Sequence, residues 1–475
     1  MKLNLLFIND VHGYLAPHSE LFYDESGEIV ETAGGYAYIA GLVEVLRKDN
    51  PNTLLFDGGD TLHGTKPVVD SKGESLIPIL NTLKPDALVG HWDFAYGPDQ
   101  LKKIGLQLNF PILGCNVFNK DGSHFLQPTA MFEMEGVKIG VIGISAMIVD
   151  KVMPAKMSTD LKFTSGIEEV AKYTKTLKSE GADLIVMLSH NGFPQDIALL
   201  KKVNGIDFCL SAHTHNRIYE PIEVNGTRIV QCGCHGAFVG NFTITVEDKK
   251  IKSCDYELIK VNRKLAKSAQ VDHLVQEILA PYEKILNVEL GETDEILHRY
   301  NTINSTMDQF LLKAIAYATK TEIAFSNGWR YGAPIGIGKI TENDLYNIAP
   351  MNPPVSTVEL TGLEIKEMLE ENLERTFCSD PMGQMGGYVK RIYGLQINIR
   401  IENPNGHRIQ EIYYQGSHLE LKKTYTVSFV TTQGVAKKYG KNRKEHPKKA
   451  VEVMKEFLRK HPKFSPKHLK SVRLV

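Results

Sequence analysis

The chain of 475 residues has few cysteines, almost no net charge and no long apolar run. Its six cysteines are scattered, and only Cys232 and Cys234 stand close together, so no dense disulfide framework is expected. This C-x-C pair is a weak metal or redox signal, and we favour small buried strand residues. The formal net charge of −1 excludes a global basic field and the argument for nucleic-acid binding that such a field would carry.

Long apolar segments are missing as well. No stretch approaches the roughly 18 apolar residues of a membrane-spanning helix. The apolar segment Leu3 to Ile8 is too short for a secretory signal, and no small-residue cleavage site follows it. We therefore expect no membrane span and a cytoplasmic protein, unless a leader preceded this numbering. A hydrophobic content of 42% permits sizeable cores, and the length predicts two or more domains.

Histidines and aspartates, by contrast, recur through the first half of the chain at the ends of predicted strands. They stand in five segments: Asn9-Asp10-Val11-His12, Gly58-Gly59-Asp60, Gly90-His91-Trp92-Asp93, Ser189-His190-Asn191 and Ala212-His213-Thr214-His215. Most of these segments follow an apolar run, and open α/β sheets bind ligands at the carboxyl ends of their strands. Taken singly, an Asp after a strand is usually a cap or turn residue, and a lone His is usually a core or surface group.

The repetition favours a metal site over these single explanations. Carboxylates and imidazoles together suit borderline metals such as Mn, Fe and Zn. Seven candidate ligands are too many for one tetrahedral zinc. They are enough for two ions that share a bridging carboxylate, an arrangement suited to displacement chemistry.

Short strands alternate with helical stretches over the first 260 residues, which predicts α/β layers with a doubled or mixed sheet. Helices are predicted at 35–48, 166–179 and 195–203, and further strands at 137–144 and 238–246. A helix at 264–286, broken near Pro281, is the predicted connector. We place a catalytic domain at 1–260, a linker at 261–289 and a substrate-binding domain at 290–475.

The second domain is predicted to be a smaller α/β domain. Its strands are expected at 322–326, 395–400 and 424–429, and a helix at 361–375 begins with a capping box of Thr361 and Glu364. The tail from 437 to 473 is basic, and five apolar residues in it share one helical face: Ala450, Val453, Met454, Phe457 and Leu458. We favour a terminal helix docked on its own domain over an anionic partner or a membrane surface.

Taken together, the five segments resemble the dinuclear metallophosphoesterase domain of the 5′-nucleotidase family. The second half resembles the C-terminal domain of that family, through Asn327-Gly328-Trp329-Arg330, Gly338-Lys339-Ile340-Thr341 and Glu359-Leu360-Thr361-Gly362. The resemblance implies an α/β fold, with an N-terminal four-layer α/β/β/α sandwich followed by a smaller α/β domain. It also implies a metal-dependent hydrolase.

The same resemblance implies two divalent metal ions, with Mn expected ahead of Zn or Fe. One ion would be held by Asp10, His12 and His215, and the other by His91, His190 and His213. Asp60 would bridge the two ions. Ions held in this way make water nucleophilic near neutral pH.

The turn at Gly90 departs from the nucleotidase pattern. Those enzymes carry Gly-Asn-His-Glu there, and the Asn is a ligand while the His stabilises the leaving group. Here His91 takes the Asn position and can still bind metal. Trp92 takes the His position and cannot act as an acid, and the aspartate that orients that His is replaced by Ala95.

A second departure lies in the base-binding region, where Gly386-Gly387-Tyr388 stands in place of the Gly-Gly-Phe segment of the nucleotidases. Both departures resemble the thiosulfohydrolases of the bacterial sulfur-oxidation pathway, which carry a Gly-His-Trp-Glu-Phe turn. The shared series continues through Asp380-Pro381, Gln384, Gly386-Gly387 and Arg391.

The candidate substrate-binding residues are Asn327, Arg330, Tyr388 and Arg391. Arg330 is also our first candidate for a catalytic role, because a guanidinium fork matches a tetrahedral oxyanion, although it could be a surface residue after a strand. His63 is a candidate replacement proton donor, and a solvent-exposed loop histidine is the alternative.

Three functions compete. The first is a phosphoester hydrolase acting on nucleotides. The second is a hydrolase that releases sulfate from a carrier-protein cysteine thiosulfonate, and the third is a non-catalytic metal-binding protein. The intact ligand set favours an enzyme. We expect a monomer whose partner is a small anionic substrate or a carrier-protein arm, with no nucleic acid bound.

Overall fold

The structure, a computed structural model, describes residues 1–466 and 470–475 and divides into two compact units. The first unit comprises Met1–His18 and Thr32–Pro281, and the second comprises Ser19–Glu31 and Tyr282–Val475. The predicted two-domain α/β organisation is confirmed. The division falls after Pro281, so residues 261–281, which the sequence suggested as a linker, group with the first unit.

The first part of the chain contains fifteen strands among the described residues. They are β1 Lys2–Ile8, β2 His18–Asp24, β3 Gly27–Ala33, β4 Thr53–Asp57, β5 Ala87–Leu88, β6 Val117–Asn119, β7 Thr129–Met134, β8 Val137–Ile144, β9 Leu161–Phe163, β10 Leu184–Ser189, β11 Phe208–Ser211, β12 Ile222–Val224, β13 Thr227–Val230, β14 Phe238–Glu247 and β15 Lys250–Lys260. The helices are α1 Tyr36–Asp49, α2 Lys66–Asp70, α3 Ile77–Leu83, α4 Pro98–Gly105, α5 Val149–Val152, α6 Ile167–Ser179, α7 Phe193–Leu200 and α8 Ala269–Leu279.

Two mixed sheets form the core of the first unit. One has the order β15-β14-β1-β4-β5, in which β1, β4 and β5 are parallel. The other has the order β12-β13-β11-β10-β8-β7, in which β8, β10, β11 and β13 are parallel. The ring of Phe56 on β4 lies 6.2 Å from that of Phe132 on β7, and Phe208 on β11 lies 5.0 Å from Phe242 on β14. The sheets therefore pack face to face, and the apolar central strands β1, β4, β8, β10 and β11 are mostly buried.

The predicted connecting helix is shorter than expected and belongs to the first unit. It begins at Ala269 because the Ser268 hydroxyl caps it by accepting the amide of Val271. It ends at Leu279, and a 3₁₀ turn at Ala280–Tyr282 follows, where Pro281 interrupts the helical hydrogen bonds. Helix α8 packs against α1 and α3, so it does not act as a free linker.

The second unit contains twelve further strands and six further helices among the described residues. The strands are β16 Glu289–Thr293, β17 Ile323–Gly328, β18 Gly338–Thr341, β19 Pro354–Thr361, β20 Tyr388–Tyr393, β21 Leu395–Ile399, β22 Ile409–Tyr414, β23 Ser417–His418, β24 Thr424–Val430, β25 Lys441–Lys449, β26 Lys463–Phe464 and β27 Val472–Leu474. The helices are α9 Glu283–Leu286, α10 Thr306–Thr319, α11 Glu342–Ile348, α12 Gly362–Phe377, α13 Thr431–Gly434 and α14 Ala450–Lys460.

The main sheet of this unit has the order β20-β17-β24-β19-β25. Helix α12 starts with the predicted capping box, in which Thr361 accepts the amide of Glu364 and the Glu364 carboxylate accepts the amide of Thr361. Helix α14 buries the predicted apolar face, and Phe457 packs on Phe310 of α10 with ring centroids 6.1 Å apart. The tail helix thus docks within its own unit, while residues 467–469 of the tail lie outside the described residues. None of the described helices is both long and apolar enough to cross a membrane.

Candidate metal centre

The seven predicted ligand residues come together at the carboxyl ends of parallel strands. Three adjacent strands of the first sheet, β1, β4 and β5, lead into Asp10 and His12, Asp60, and His91. In the second sheet, the adjacent strands β10 and β11 lead into His190, and into His213 and His215. Neighbouring parallel strands end at the same edge of a sheet, so each sheet gathers its own ligands there.

The ligand atoms form two groups that share one carboxylate. Asp10, His12, Asp60 and His215 form one group, and Asp60, His91, His190 and His213 form the other. Within each group the candidate atoms all lie within 4.8 Å of one another. Except for His215, which is partly exposed, these residues are buried. The grouping matches the division that the family resemblance implies, and the binding of metal by these residues stays a prediction.

The spacing of the atoms suits metal coordination. Asp60 Oδ2 lies 3.4 Å from His190 Nε2 and 3.6 Å from His12 Nε2, and Asp60 Oδ1 lies 3.2 Å from His91 Nδ1. His215 Nε2 lies 3.2 Å from Asp10 Oδ1. Bonds of about 2.0–2.2 Å to a shared ion place neighbouring ligand atoms roughly 3–3.5 Å apart. The residues therefore fit two first-row divalent ions with Asp60 between them.

Five of the candidate ligands have left-handed backbone conformations. The φ angles are 51° at Asp10, 51° at His12, 55° at Asp60, 75° at His213 and 59° at His215. For residues with a side chain this region costs roughly 1–2 kcal/mol each. Such strain clusters at functional sites, where the surroundings enforce it. The backbone at these strand ends therefore directs the five side chains towards the ligand groups, at a cost in local stability.

Gly59 is required beside the bridging residue. Its φ is 86°, and a Cβ atom at this position would lie 2.3 Å from the carbonyl oxygen of Val89 and 3.1 Å from His190 Nδ1. Only glycine lets the turn before Asp60 pass this close to the end of the neighbouring strand.

The electrostatics of the site combine ionised carboxylates with imidazoles. Burial disfavours the charged form of Asp60, but His91 and His190 outweigh it and hold the pKa of Asp60 well below its usual 3.8. Burial also works against protonation of His190, yet Asp60 and Asp10 raise the pKa of His190 to about 10. Burial lowers the pKa of His12 to about 3.

Hydrogen bonds outside the ligand set orient two of the ligands. His190 Nδ1 donates to the carbonyl oxygen of Gly58, which leaves Nε2 facing the carboxylates. Asn9 Nδ2 donates to Asp10 Oδ2 over 2.6 Å and to the carbonyl oxygen of Gly233 over 2.8 Å. The amide of His213 donates to the same Asp10 oxygen over 2.9 Å.

The sequence did not reveal the role of Asp196. This buried carboxylate on α7 accepts the hydroxyl groups of Ser189 and Ser211, each over 2.6 Å. It thereby ties together the ends of β10 and β11 immediately before their ligands. The only sequence signal was a serine before His190 and another shortly before His213, and a serine at a strand end has many ordinary explanations.

His63 is fully buried, whereas the alternative in the sequence was an exposed loop histidine. Its ring stacks on the indole of Trp92, with centroids 4.7 Å apart and planes 22° apart. Burial lowers the pKa of His63 to about 4. The imidazole is therefore neutral at pH 7, which weakens its case as a proton donor. Trp92 is itself buried, and its amide donates to Asp60 Oδ1 over 2.6 Å.

The candidate substrate residues lie on adjacent strands of the second unit. Asn327 is on β17, Arg330 follows it, and Gly328 pairs with Tyr388 of β20. The guanidinium of the half-buried Arg330 lies 5.1 Å from the centre of the Tyr388 ring, and its Nη2 donates to the carbonyl oxygen of Gly387 over 3.3 Å. This part of the unit presents a cation beside an aromatic ring.

Arg391 lies deeper than a direct substrate ligand would. It is 2% exposed, and its guanidinium donates to the carbonyl oxygens of Thr302 and Asn301. Its Nε is 3.4 Å from Asp308, and the guanidinium lies 5.6 Å from the centre of the Tyr388 ring. These internal partners favour a supporting role for Arg391 behind Tyr388.

Comparison with known proteins defines the class. Residues 3–217 match the calcineurin-like phosphoesterase family, and residues 288–438 match the 5′-nucleotidase C-terminal domain. Together the two matches cover most of the chain, with the phosphoesterase domain first and the C-terminal domain second. The chain therefore combines a calcineurin-like phosphoesterase domain with a 5′-nucleotidase C-terminal domain, and the predicted resemblance and hydrolase class are confirmed.

Individual relatives differ in length and activity. The chain is 26% identical over 411 residues to endonuclease YhcR of Bacillus subtilis. This match covers 80% of the present chain and 33% of YhcR. It is 23% identical over 488 residues to a snake venom 5′-nucleotidase of Naja atra, which covers 91% of this chain and 90% of the relative. The chain thus spans about a third of the first relative and most of the second.

Among solved structures, the sulfate thiohydrolase SoxB of Thermus thermophilus superposes with a TM-score of 0.93. The match covers 100% of this chain and 96% of that chain, at 23% sequence identity. At this identity the likeness establishes the fold and leaves the substrate open. Calcineurin-like phosphoesterases bind divalent metals, and the cluster of Asp and His residues in this chain is consistent with that property.

Proposed function

We propose that this protein hydrolyses phosphoesters, with nucleotide-like monoesters as its substrate class, through a centre of two divalent metal ions. The observation that carries the proposal is the pair of buried ligand groups that share Asp60. A shared carboxylate holds two ions close enough to act on the attacking and leaving oxygens of one displacement. Ligands that mix imidazole and carboxylate suit Mn, Zn and Fe, and Mn is expected ahead of the other two by the family resemblance.

The residues of the chain divide the work. Asp10, His12 and His215 would hold one ion, His91, His190 and His213 would hold the other, and Asp60 would be shared by both. Bound divalent ions supply Lewis acidity and make water nucleophilic near neutral pH. The amide of Trp92 donates to Asp60 Oδ1, and the hydrogen bond from His190 Nδ1 to Gly58 keeps that ring in its binding tautomer.

Recognition of the anion falls to the second unit in this proposal. Arg330 provides a planar fork that matches two oxygens of a tetrahedral anion, and Asn327 adds polar groups beside it. Tyr388 offers an aromatic face next to Arg330. Arg391 and Asp308 support this ring from the interior.

Sulfate release from a carrier-protein cysteine thiosulfonate is the second candidate. The observation that favours it is the stack of Trp92 on His63, which leaves an indole where the resembled nucleotidases have a leaving-group histidine. A sulfur leaving group needs less help from an acid, since an ordinary thiol has a pKa of about 8.5 whereas an alkoxide is far more basic. A non-catalytic role is not favoured, because every candidate ligand is present and correctly grouped.

A substrate panel tests the proposal. Protein loaded with Mn, Zn or Fe is assayed against AMP, a cyclic nucleotide, an aryl phosphate and a cysteine S-thiosulfonate peptide, with release of phosphate or sulfate as the readout. We expect phosphate release from monoesters, and none from an Asp60→Ala variant. Sulfate release alone would establish the second candidate. No release from any substrate by protein that holds two ions would contradict both.

A further inference from the structure

We propose that Asp93 is a positioning residue of the metal centre, whose carboxylate fixes the backbone of two ligand-bearing loops before any ion binds. The inference rests on the proposed metal centre. It concerns a side chain that lies beside the candidate ligands without belonging to either ligand group.

The contacts of Asp93 are unusually complete. Its Oδ2 accepts the amides of Asp60 over 2.9 Å and His91 over 3.1 Å. Its Oδ1 accepts the amides of Thr61 over 3.1 Å and Leu62 over 2.9 Å. A carboxylate has about four lone-pair sites, so the two loops fill its capacity.

The clamp works in both directions. While the Asp93 carboxylate holds the amide of Asp60, the Asp60 carboxylate accepts the amide of Trp92, the neighbour of Asp93, over 2.6 Å. The loop after β4 and the loop after β5 are therefore joined by hydrogen bonds in which the carboxylate of each loop accepts an amide of the other. One of these loops carries the bridging residue, and the other carries His91.

Burial and strain explain why these loops need such a carboxylate. Asp93 is 1% exposed, so its hydrogen bonds are shielded from water, and bonds to an ionised acceptor are about twice as strong as neutral ones. Asp60 has a left-handed backbone, which persists only where the surroundings enforce it. The amides of residues 60–62 follow the end of β4, and buried amides must find acceptors. Asp93 supplies those acceptors and sets the direction of the Asp60 side chain.

Hydrogen exchange on the metal-free wild-type protein tests this preorganisation without any substitution. We expect the amides of Asp60, Thr61, Leu62 and His91 to be as protected as those of β4 when metal is absent. If these amides exchange as fast as an exposed loop and gain protection only when zinc is added, the ion orders the loops, and the inference is wrong.

Substitutions give an independent test through zinc affinity, measured by competition with a chromogenic chelator. Asp93→Asn keeps the size but replaces one acceptor by an NH₂ group that faces two amides. We expect zinc affinity to fall by about 10–100-fold, the usual effect of losing a partner behind the ligands. Asp93→Glu restores the carboxylate and should recover most of that loss. The absorption spectrum of the cobalt-loaded protein should change with Asp93→Asn and return towards that of the wild type with Asp93→Glu.

The matched control is Asp86→Asn. The Asp86 carboxylate accepts the amide of Leu55 over 2.7 Å. Leu55 lies on β4, the strand that leads to Asp60, but neither Leu55 nor Asp86 belongs to a ligand group. This variant should keep zinc affinity within about twofold of the wild type. An equal loss in Asp86→Asn and Asp93→Asn, wild-type affinity in Asp93→Asn, or no recovery in Asp93→Glu would each overturn the inference. If Asp93→Asn does not fold, the exchange experiment decides. If the wild-type protein binds no zinc, the proposed metal centre is wrong. The exchange rates of the four amides are measured without metal, so they still test the role of Asp93 separately.

Discussion

The indole of Trp92 stacks on the imidazole of His63 inside the first unit, with ring centroids 4.7 Å apart. The family resemblance places a leaving-group histidine at position 92 and its orienting aspartate at position 95. Trp92 and Ala95 replace that pair. The candidate metal ligands around this turn are all present, so by this resemblance the chain has the ligand set without the histidine–aspartate pair.

We therefore predict slow hydrolysis of AMP relative to an aryl phosphate. A nucleoside alkoxide is a poor leaving group, and assistance from a general acid is typically worth about 10²–10⁴ in rate. The double variant Trp92→His with Ala95→Asp should increase kcat for AMP more than kcat for the aryl ester. Trp92→Phe is the control that opens the stack without adding an acid. Equal wild-type rates on AMP and the aryl ester would show that another group donates the proton.

If Arg330 binds the substrate anion, we predict that a positive charge alone at this position does not support full activity. Arg330→Lys keeps the cation but loses the planar fork, so kcat/KM should fall by about tenfold or more, the loss expected for a hydrogen bond to a charged group. Arg400→Lys is the control, because Arg400 is exposed in the same unit and lies 3.7 Å from Glu402. Equal kcat/KM values for the two variants would remove Arg330 from the site.

Lys390 predicts a pH dependence of stability in the second unit. Burial lowers the pKa of Lys390 from 10.5 to about 7, although its Nζ donates to the carbonyl oxygens of Gln433 and Gly434 over 2.8 and 2.7 Å. Between pH 7 and 10.5 the unfolded chain binds the extra proton, so the free energy of unfolding rises with pH. The contribution is about 1.4 kcal/mol per pH unit.

Urea unfolding between pH 7.5 and 9.5 measures this slope. Lys390→Met should flatten it, since the substitution removes the titrating group. Lys441→Met, at an exposed position on β25, should leave the slope unchanged. A slope that is the same in all three proteins would mean that the ammonium group is accommodated without cost.

Much of the fold follows from local patterns in the sequence. Strand β8 has the predicted bounds of 137–144, because its apolar run is bounded by a turn on one side and the start of a loop on the other. The capping box at Thr361 is a local signal and was found. The candidate ligands were recognisable because each follows a strand, and parallel strands bring such positions together.

Features that depend on distant partners were not predictable. Arg391 was a candidate substrate-binding residue, but it lies in the interior beside Asp308, which stands 83 positions earlier in the chain. His63 was either a candidate proton donor or a solvent-exposed loop histidine, but it is buried and its ring stacks on the indole of Trp92. The segment Ser19–Glu31 groups with the second unit although it lies within the first domain of the sequence. Pairings of this kind depend on tertiary contacts that no local periodicity encodes.

The number of bound metal ions tests the central claim most directly. Protein purified without chelator is analysed by elemental mass spectrometry, together with an Asp60→Asn variant and an Asp86→Asn control. We predict close to two ions per chain in the wild type and the control, and reduced occupancy of both sites in Asp60→Asn, since one carboxylate serves both ions. At most one ion in the wild type, with occupancy indifferent to Asp60, would contradict the dinuclear centre.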